Sequence, residues 1–304
     1  MGEIFSDYRN ELAENLIYFS NELRDALISS GYRVYEKPII YRNRIIGIIS
    51  NLSKNRFISF PPPLIAFYGI YIEPEFLIKH SEKSIEIIKE ITNTQKNRYI
   101  YTLLSLPPEI TDVRAFLING WRADIKYTYR IRKGNEILKK SVIRKIKKID
   151  KENLIISKDD NINNIYNLMN ESNKNKGRKA INRKYLENIF NNLKDNRISI
   201  YSLYLNNTCI SSAMIIRDSS CSYLFANGMS NKIRNTNINL YFISNVIETE
   251  LSINNYFDLQ GANTPSINRF KENFNVILTP YFHLSLGYNI LGLMKIINII
   301  RNLL

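Results

Sequence analysis

The chain has 304 residues and a formal net charge of +14, so it is long enough for a full core and favours an anionic partner such as a nucleotide, nucleic acid, phospholipid surface or pyrophosphate-linked sugar. Joint over-use of Lys, Asn, Ile and Tyr is the alternative origin of that charge, as a generally basic surface. Two cysteines make no disulfide framework, and no window reaches the apolar length of a membrane span. With no signal-peptide pattern, the sequence predicts a cytoplasmic protein.

The first half of the chain predicts alternating strands and helices. Short runs rich in Ile, Tyr and Leu alternate with longer runs of helical periodicity, as in α/β and α+β domains. We predict a hairpin over residues 45–52 and 56–60, a helix over 75–92, a strand over 99–104, a helix over 111–118 and a strand over 123–131.

A basic segment follows, and residues 133–152 are predicted to form a linker helix. Its cationic cluster consists of Arg144, Lys145, Lys147 and Lys148. That density of cations suits a polyphosphate or an RNA backbone. However, Ile143, Ile146 and Ile149 recur at three-residue spacing, as on an ordinary surface helix with a solvated basic face. Both interpretations stay open.

The second half predicts the order β-α-α-β-β-β-α-β-α-β. The short polar connections Asn206-Asn207 and Asp218-Ser219-Ser220 separate three consecutive strand-like runs and therefore predict an antiparallel meander. The predicted strands are 153–157, 198–205, 209–217, 221–229, 256–260 and 276–284, and the predicted helices are 161–172, 183–193, 238–251 and 266–273. The latter half of this order also occurs in the first half of the chain, which indicates a duplicated unit.

Residues 256–281 are the most informative stretch. A strand-like run contains Asp258 and ends at Gly261, and a helical segment then carries Arg269 and Lys271. Open α/β sheets bind ligands at the carboxyl ends of their strands, so this loop is the predicted site. In the aligned first unit Leu117 stands in place of Lys271, and the charged chemistry is therefore predicted only in the second unit.

These features resemble the Fem-type aminoacyltransferases and their acyltransferase relatives, which are built from tandem units of the GNAT acyltransferase fold. The matching elements are Gly120-Trp121 through Thr128-Tyr129, Arg144 to Lys148, Asp258 with Gly261, and Arg269-Phe270-Lys271 with Phe274. The resemblance spans nearly the whole chain. It implies an α/β (α+β) fold of two tandem GNAT-like domains, each with a mixed, mostly antiparallel central sheet flanked by helices.

The resemblance also implies how the chain is divided and what it does. It predicts a degenerate GNAT-like domain over 1–132, the basic linker helix over 133–152, and a GNAT-like domain over 153–304 that carries the active site. The implied activity is metal-free transfer of an acyl or aminoacyl group to an amine of a cell-envelope precursor, such as an amino sugar, a polysaccharide or a peptidoglycan peptide. The donor, acyl-CoA or aminoacyl-tRNA, would be a co-substrate and not a tightly bound cofactor.

Lys271 and Asp258 are the predicted catalytic residues. In the Fem-type family the lysine of the Phe-Lys pair lies at the active site, so Lys271 would stabilise the oxyanion of the tetrahedral intermediate. The alternative is a solvated helix lysine that pairs with Glu272 or Asp258. Asp258 is either a base that takes the proton of the attacking ammonium or a turn aspartate that holds the Gly261 loop.

Further residues are predicted to bind the acceptor and the donor. The acceptor set is Phe270, Arg269, Gly261 and Asn263, and the donor set is Arg234, Asn237, Arg144 and Lys145. Arg269 is either a fork for phosphate or carboxylate or an exposed helix arginine. The loop at 234–237 lacks the glycines with which GNAT enzymes cradle a CoA pyrophosphate, so the donor stays open. No zinc-ligand spacing is present, and no metal site is predicted.

The apolar C-terminal segment, residues 288–304, is too short and too charged to span a bilayer. It either lies on the cytoplasmic membrane leaflet or packs against protein. The sequence thus predicts a cytoplasmic N-acyltransferase, with or without membrane association. Its acceptor would be a nucleotide- or lipid-linked glycan precursor, and tRNA would be a partner if the donor is aminoacyl-tRNA. The rival hypothesis is a non-catalytic basic module that binds RNA or an anionic membrane surface.

Overall fold

The computed structural model describes residues 2–54, 56–174, 177, 179–193, 195–233, 236–263 and 265–287. The chain forms two compact units. As far as they are described, the first unit contains residues 2–30, 63–66 and 126–280, and the second contains residues 31–62, 67–125 and 281–287. The predicted membrane-facing or packing segment at 288–304 lies outside the described residues.

Helices and strands occur throughout both units. The helices are α1 (Gly2–Asn15), α2 (Asn21–Ser29), α3 (Pro74–Lys79), α4 (Ser81–Arg98), α5 (Arg114–Ile118), α6 (Lys140–Ile146), α7 (Ile162–Lys174), α8 (Arg183–Asn192), α9 (Ile238–Ile253) and α10 (Pro265–Lys271). The strands are β1 (Arg33–Tyr41), β2 (Arg44–Ser53), β3 (Ile58–Ser59), β4 (Gly69–Ile72), β5 (Tyr101–Ser105), β6 (Arg122–Arg132), β7 (Leu154–Asp159), β8 (Ile198–Leu205), β9 (Thr208–Arg217), β10 (Cys221–Met229), β11 (Tyr256–Asp258) and β12 (Ile277–Gly287). A short 3-10 turn at Ile17–Phe19 connects α1 to α2.

The first unit contains the predicted meander. Strands β7, β8, β9 and β10 pair antiparallel in chain order. Asn206 and Asn207 both have left-handed backbones, with φ of 48° and 62°, and such a two-residue turn matches the twist of the strands that it joins. The prediction of an antiparallel meander is therefore confirmed.

Helices cover the strands of this unit with apolar side chains. Phe242, Ile243 and Ile247 of α9 are fully buried in one core with Phe257 of β11. Burying each such side chain contributes about 1.5–3 kcal/mol to folding. Helix α7 packs closely on β10 at Gly228, where a Cβ atom would lie only 2.5 Å from a backbone nitrogen of the helix.

Strands β10 and β11 pair in parallel along the whole length of the short strand β11. They pair only from Cys221↔Tyr256 to Tyr223↔Asp258. On its other side β10 has an irregular register between Leu224 and Ala226, which bends the strand as a bulge does. Strand β11 also pairs antiparallel with β6. The carboxyl end of β11 therefore leads directly into the predicted site loop.

The second unit has its own core and two groups of strands. Strands β1, β2 and β4 form an antiparallel sheet in that order. Strand β5 pairs parallel with β3 and antiparallel with residues 283–287 of β12. Trp121 is buried in the apolar core and donates its indole N–H to Thr92 at 2.8 Å.

Two predictions in this unit are wrong. Residues 45–52 and 56–60 do not pair as a hairpin, because β1 and β4 occupy the two edges of β2 while β3 pairs with β5. The predicted helix over 75–92 is two helices, since the backbone leaves helical geometry at His80, with φ of −124° and ψ of 53°. Strands β1 and β4 and helices α1 and α2 had no counterpart in the predictions.

The predicted fold class, a mixed α/β architecture with mostly antiparallel sheet flanked by helices, is confirmed. The compact units are assembled from separate stretches of chain, whereas the predicted domains at 1–132 and 153–304 are continuous. The predicted division into domains at 1–132 and 153–304, with a linker at 133–152, stays a prediction. The predicted linker helix over 133–152 is wrong in extent, because only residues 140–146 are helical, as α6.

Candidate functional site

Asp258, the last residue of β11, has a fully buried carboxylate. Its Oδ1 accepts hydrogen bonds from the Thr128 hydroxyl at 2.5 Å and the Gln260 backbone N–H at 2.7 Å. Its Oδ2 accepts from Arg130 Nε at 3.0 Å, which completes a buried ion pair. A carboxylate that already serves three donors and has no exposed surface is poorly placed to take a proton from a substrate. The geometry favours the turn-holding alternative for Asp258.

The loop after β11, residues 259–263, turns through two left-handed residues. Gln260 has a φ of 56° and Gly261 a φ of 36°. The Asn263 side chain ties the loop to β6, because its Oδ1 accepts from the Tyr127 N–H and its Nδ2 donates to the Tyr127 carbonyl, each at 3.0 Å. Asn263, a predicted acceptor-binding residue, therefore supports the loop with its side chain.

Lys271 ends α10 and directs its ammonium into this loop. The residue is only 7% exposed, and Nζ donates to the carbonyls of Gln260 and Gly261, the latter at 2.9 Å. Burial lowers the pKa of Lys271 to about 8, and the charge of Asp258 acts in the opposite direction. An ammonium has three donors, so one N–H remains after the two loop carbonyls. Lys271 is thus not a solvated helix lysine, and the structure brings it together with Gly261 and Asp258.

Two other predicted acceptor residues do not join this loop contact. The Phe270 ring packs on the core and meets Phe274 edge to face, with 5.7 Å between the ring centroids. Arg269 is exposed on α10, so its side chain faces solvent. The aromatic residue of the Phe-Lys pair therefore anchors the short helix, and that anchoring helps to direct Lys271 inward.

The predicted donor residues lie on other elements. Arg144 and Lys145 are exposed on α6, whose Val142 and Ile146 are buried. Asn237 immediately precedes α9, on which α6 packs, and makes no side-chain cap bond with that helix. Arg234 lies outside the described residues. Donor binding by these four residues stays a prediction.

Thr128, Arg130 and Tyr18, which contact Asp258 or the site loop, were not among the predicted site residues. Thr128 belongs to the Thr-Tyr pair used for the resemblance, and Arg130 follows two positions later, on the same face of β6. That alternation places both side chains on one face of β6, but it does not identify Asp258 as their partner. Tyr18 carries no comparable signal: its hydroxyl accepts from Gln260 Nε2 at 2.6 Å across 242 residues of sequence.

A cluster of buried polar groups surrounds the contact between Tyr18 and Gln260. The ring centroids of Tyr18 and Tyr223 lie 5.2 Å apart, and the Tyr223 hydroxyl donates to Asp218 at 2.9 Å. Burial raises the pKa of both tyrosines and of the Cys221 thiol well above their usual values, and it also raises the pKa of Asp218. The tyrosines and the thiol are therefore neutral at physiological pH, and Arg130 and Asp258 form the ion pair within the cluster.

The described residues also bear on the predictions about metal ligands and membrane-spanning helices. In that part of the chain, no three side chains of His, Cys, Asp or Glu are arranged to hold a metal ion. None of its helices is both long and apolar enough to cross a membrane.

Comparison with known proteins places the chain among solved structures. Neither a known family profile nor a curated protein sequence matches it. FemX superimposes with a TM-score of 0.61 at 11% identity, over 86% of this chain and 90% of FemX. The C-terminal domain of a protein named as a lysylphosphatidylglycerol synthetase in Agrobacterium fabrum gives 0.62 at 10% identity, over 95% of this chain and 94% of that domain. L-PGS from Bacillus licheniformis gives 0.57 at 11% identity, over 88% of each chain.

The chain has the fold of FemX. The predicted likeness to the Fem-type proteins is confirmed at the level of the fold. Only about one residue in ten is identical between this chain and these proteins. The superpositions therefore establish the fold but do not identify a substrate.

Proposed function

We propose that the chain is an N-acyltransferase and that Lys271 stabilises the oxyanion formed during transfer. The observation that carries the proposal is the buried Lys271 ammonium, which donates to the loop at the carboxyl end of β11. Two loop carbonyls hold this ammonium, and in the proposed reaction its remaining N–H donates to the substrate oxygen. Preorganised charge of this kind is commonly a large contribution to catalysis of acyl transfer.

The proposed reaction needs few protein groups. A neutral acceptor amine attacks the donor carbonyl, which is a thioester in acyl-CoA or an ester in aminoacyl-tRNA. The carbonyl oxygen takes the negative charge and faces Lys271. Collapse of this intermediate breaks the bond to the donor, forms the amide and passes the proton lost by the amine to the leaving thiolate or alkoxide. In this scheme Asp258 accepts three hydrogen bonds and holds the loop, and it is not the base.

The substrates are proposed from charge and from the similar structures. A net charge of +14 suits anionic substrates, namely a donor such as acyl-CoA or aminoacyl-tRNA and a nucleotide- or lipid-linked acceptor. The name lysylphosphatidylglycerol synthetase joins a lysyl group to a phospholipid, which supports an aminoacyl donor; because phosphatidylglycerol offers hydroxyl groups and no amine, it does not support the amine acceptor. Either donor would be a dissociable co-substrate. Such a reaction would take place in the cytoplasm or at the inner face of the membrane.

The test combines donors and acceptors with variants of Lys271. Purified protein is given acetyl-CoA, longer acyl-CoAs or aminoacyl-tRNA together with amino sugars or lipid-linked glycan precursors, and products are detected by mass spectrometry. Lys271→Ala should lower kcat by about 10²–10³-fold with little change in KM, as removal of an oxyanion donor does. Lys133→Ala is the matched control, because Lys133 also donates to a carbonyl, that of Ser252 at 2.9 Å, but is exposed.

Two results would contradict the proposal. Full activity of Lys271→Ala would remove its proposed role. Absence of turnover with every donor, together with tight binding of RNA or anionic vesicles, would support the basic binding module, for which exposed Arg144 and Lys145 are the favouring observation.

A further inference from the structure

Gln260 has a backbone conformation that needs support from its surroundings. Its φ of 56° lies in the left-handed region, which residues with a side chain enter only when neighbouring groups compensate. The backbone N–H donates to Asp258 Oδ1 at 2.7 Å, and the carbonyl accepts from the Lys271 ammonium. The conformation of Gln260 therefore decides where one of the two acceptors of Lys271 lies.

A residue near the start of the chain holds the Gln260 side chain. Gln260 Nε2 donates to the Tyr18 hydroxyl at 2.6 Å. Tyr18 is buried, and its ring packs edge to face on Tyr223. Burial raises the pKa of Tyr18 well above its usual value, and the nearby carboxylates of Asp258 and Asp218 raise it further, so the hydroxyl stays neutral.

The turn that carries Tyr18 is itself fixed. Arg9 Nε donates to the Phe19 carbonyl at 3.0 Å, and the Ile17 N–H donates to Asp218 Oδ2 at 3.4 Å. Arg9 is only 4% exposed, so these contacts are shielded from water. Tyr18 therefore presents its hydroxyl from a rigid support, as a group that orients a catalytic side chain must.

We propose that Tyr18 is a positioning residue for Lys271 and acts through Gln260. The hydroxyl fixes the Gln260 side chain, this contact stabilises the left-handed backbone, and that backbone directs the carbonyl toward the ammonium. The inference rests on the proposed function, because Tyr18 can affect catalysis in this way only if Lys271 is a catalytic residue. Loss of the hydroxyl would free the loop and leave the ammonium less well oriented.

The test removes the hydroxyl in Tyr18→Phe and compares the variant with Tyr201→Phe. Tyr201 is equally buried in the same unit, but its hydroxyl donates to Glu250 at 2.7 Å and does not contact the loop. Tyr18→Phe should lower kcat by at least about tenfold with KM within about twofold, since small misplacements of a catalytic group are costly. Its Lys271 pKa, followed by NMR of ¹⁵N-lysine protein, should rise from about 8 toward 10.5 as water enters. Tyr201→Phe should show neither change.

A second pair of variants tests the link through Gln260. Glycine adopts positive φ without a steric penalty and has no side chain to tether. The kcat of the double variant Tyr18→Phe, Gln260→Gly should therefore lie within about twofold of that of Gln260→Gly alone. In the wild-type background, by contrast, Tyr18→Phe should lower kcat at least about tenfold. Gln260→Ala loses the tether and keeps the steric penalty, so it should repeat the defect of Tyr18→Phe and serves as the test if that variant does not fold.

The outcomes separate this inference from the proposed function. Equal effects of Tyr18→Phe and Tyr201→Phe on kcat and on the Lys271 pKa would overturn the positioning role, even if Lys271→Ala is inactive. Failure of the wild type to transfer any acyl group would overturn the proposed function. The difference in Lys271 pKa between Tyr18→Phe and Tyr201→Phe would then still decide whether Tyr18 positions the ammonium.

Discussion

Replacement of Asp258 by Asn tests whether its carboxylate is structural. The two oxygens of Asp258 serve three donors, whereas asparagine offers one oxygen and one nitrogen that is itself a donor. Whichever way the amide turns, the N–H of Gln260 or of Arg130 meets another donor. Arg130, whose side chain is only 14% exposed, also loses its opposite charge.

The expected cost follows from this geometry. Removing one partner of a buried ion pair costs about 3–5 kcal/mol of unfolding free energy. For domains of about 150–250 residues each kcal/mol shifts the melting temperature by about 2–4 °C, so melting of the unit that contains Asp258 should fall by about 6–20 °C in Asp258→Asn. Thermal and urea unfolding followed by circular dichroism measure both quantities. The control is Asp25→Asn, because the Arg24–Asp25 pair at 3.2 Å is exposed and worth at most about 1 kcal/mol.

Two results would refute this reasoning. A loss below about 1 kcal/mol, similar to that of Asp25→Asn, would show that the three hydrogen bonds contribute little to folding. An Asp258→Asn protein that melts like the wild type but no longer transfers acyl groups would restore Asp258 as the catalytic base.

Three further predictions concern pH, packing and charge. The contribution of Lys271 to stability should rise between about pH 8 and 10.5, because Lys271 releases its proton there when folded but keeps it when unfolded; since buried Cys221, Tyr18 and Tyr223 act in the opposite direction above about pH 9, the measurement is the urea unfolding free energy of the wild type minus that of Lys271→Met, and this difference should rise. Gly228→Ala should lose about 1–3 kcal/mol of unfolding free energy, since its Cβ would lie 2.5 Å from the Met169 nitrogen, and a wild-type urea midpoint would contradict that contact. The double variant Arg144→Ala, Lys145→Ala should melt normally yet reduce the salt-dependence slope of tRNA binding by about 1–2 in anisotropy titrations, and an unchanged slope would exclude both side chains from the interface.

Much of the first unit was predictable because its local signals agree. The meander strands are apolar, and short polar turns such as Asn206-Asn207 separate them. In the second unit these signals conflict. Strand β1 has one fully buried residue, Ile39, so its apolar pattern is weak. At His80 no Gly or Pro marks the break between α3 and α4, and helical periodicity continues across it.

The candidate site was predictable in its location but not in its arrangement. The Phe-Lys pair pointed to Lys271, and Asp258 was correctly placed beside the same loop. The carbonyl partners of Lys271 depend on the left-handed backbone of Gln260, which residue type alone does not indicate. The buried partner of Asp258 is Arg130, and the strand pairing that brings them together joins residues 128 positions apart.

The contact between Tyr18 and Gln260 joins residues that are synthesised far apart in time. At about 5–20 residues per second, Gln260 follows Tyr18 by about 10–50 s. Ile17, which is almost fully buried in the finished protein, is likewise synthesised 201 residues before Asp218, which accepts its backbone N–H. N-terminal truncation would accordingly impair the Lys271 loop while leaving every predicted catalytic residue in place.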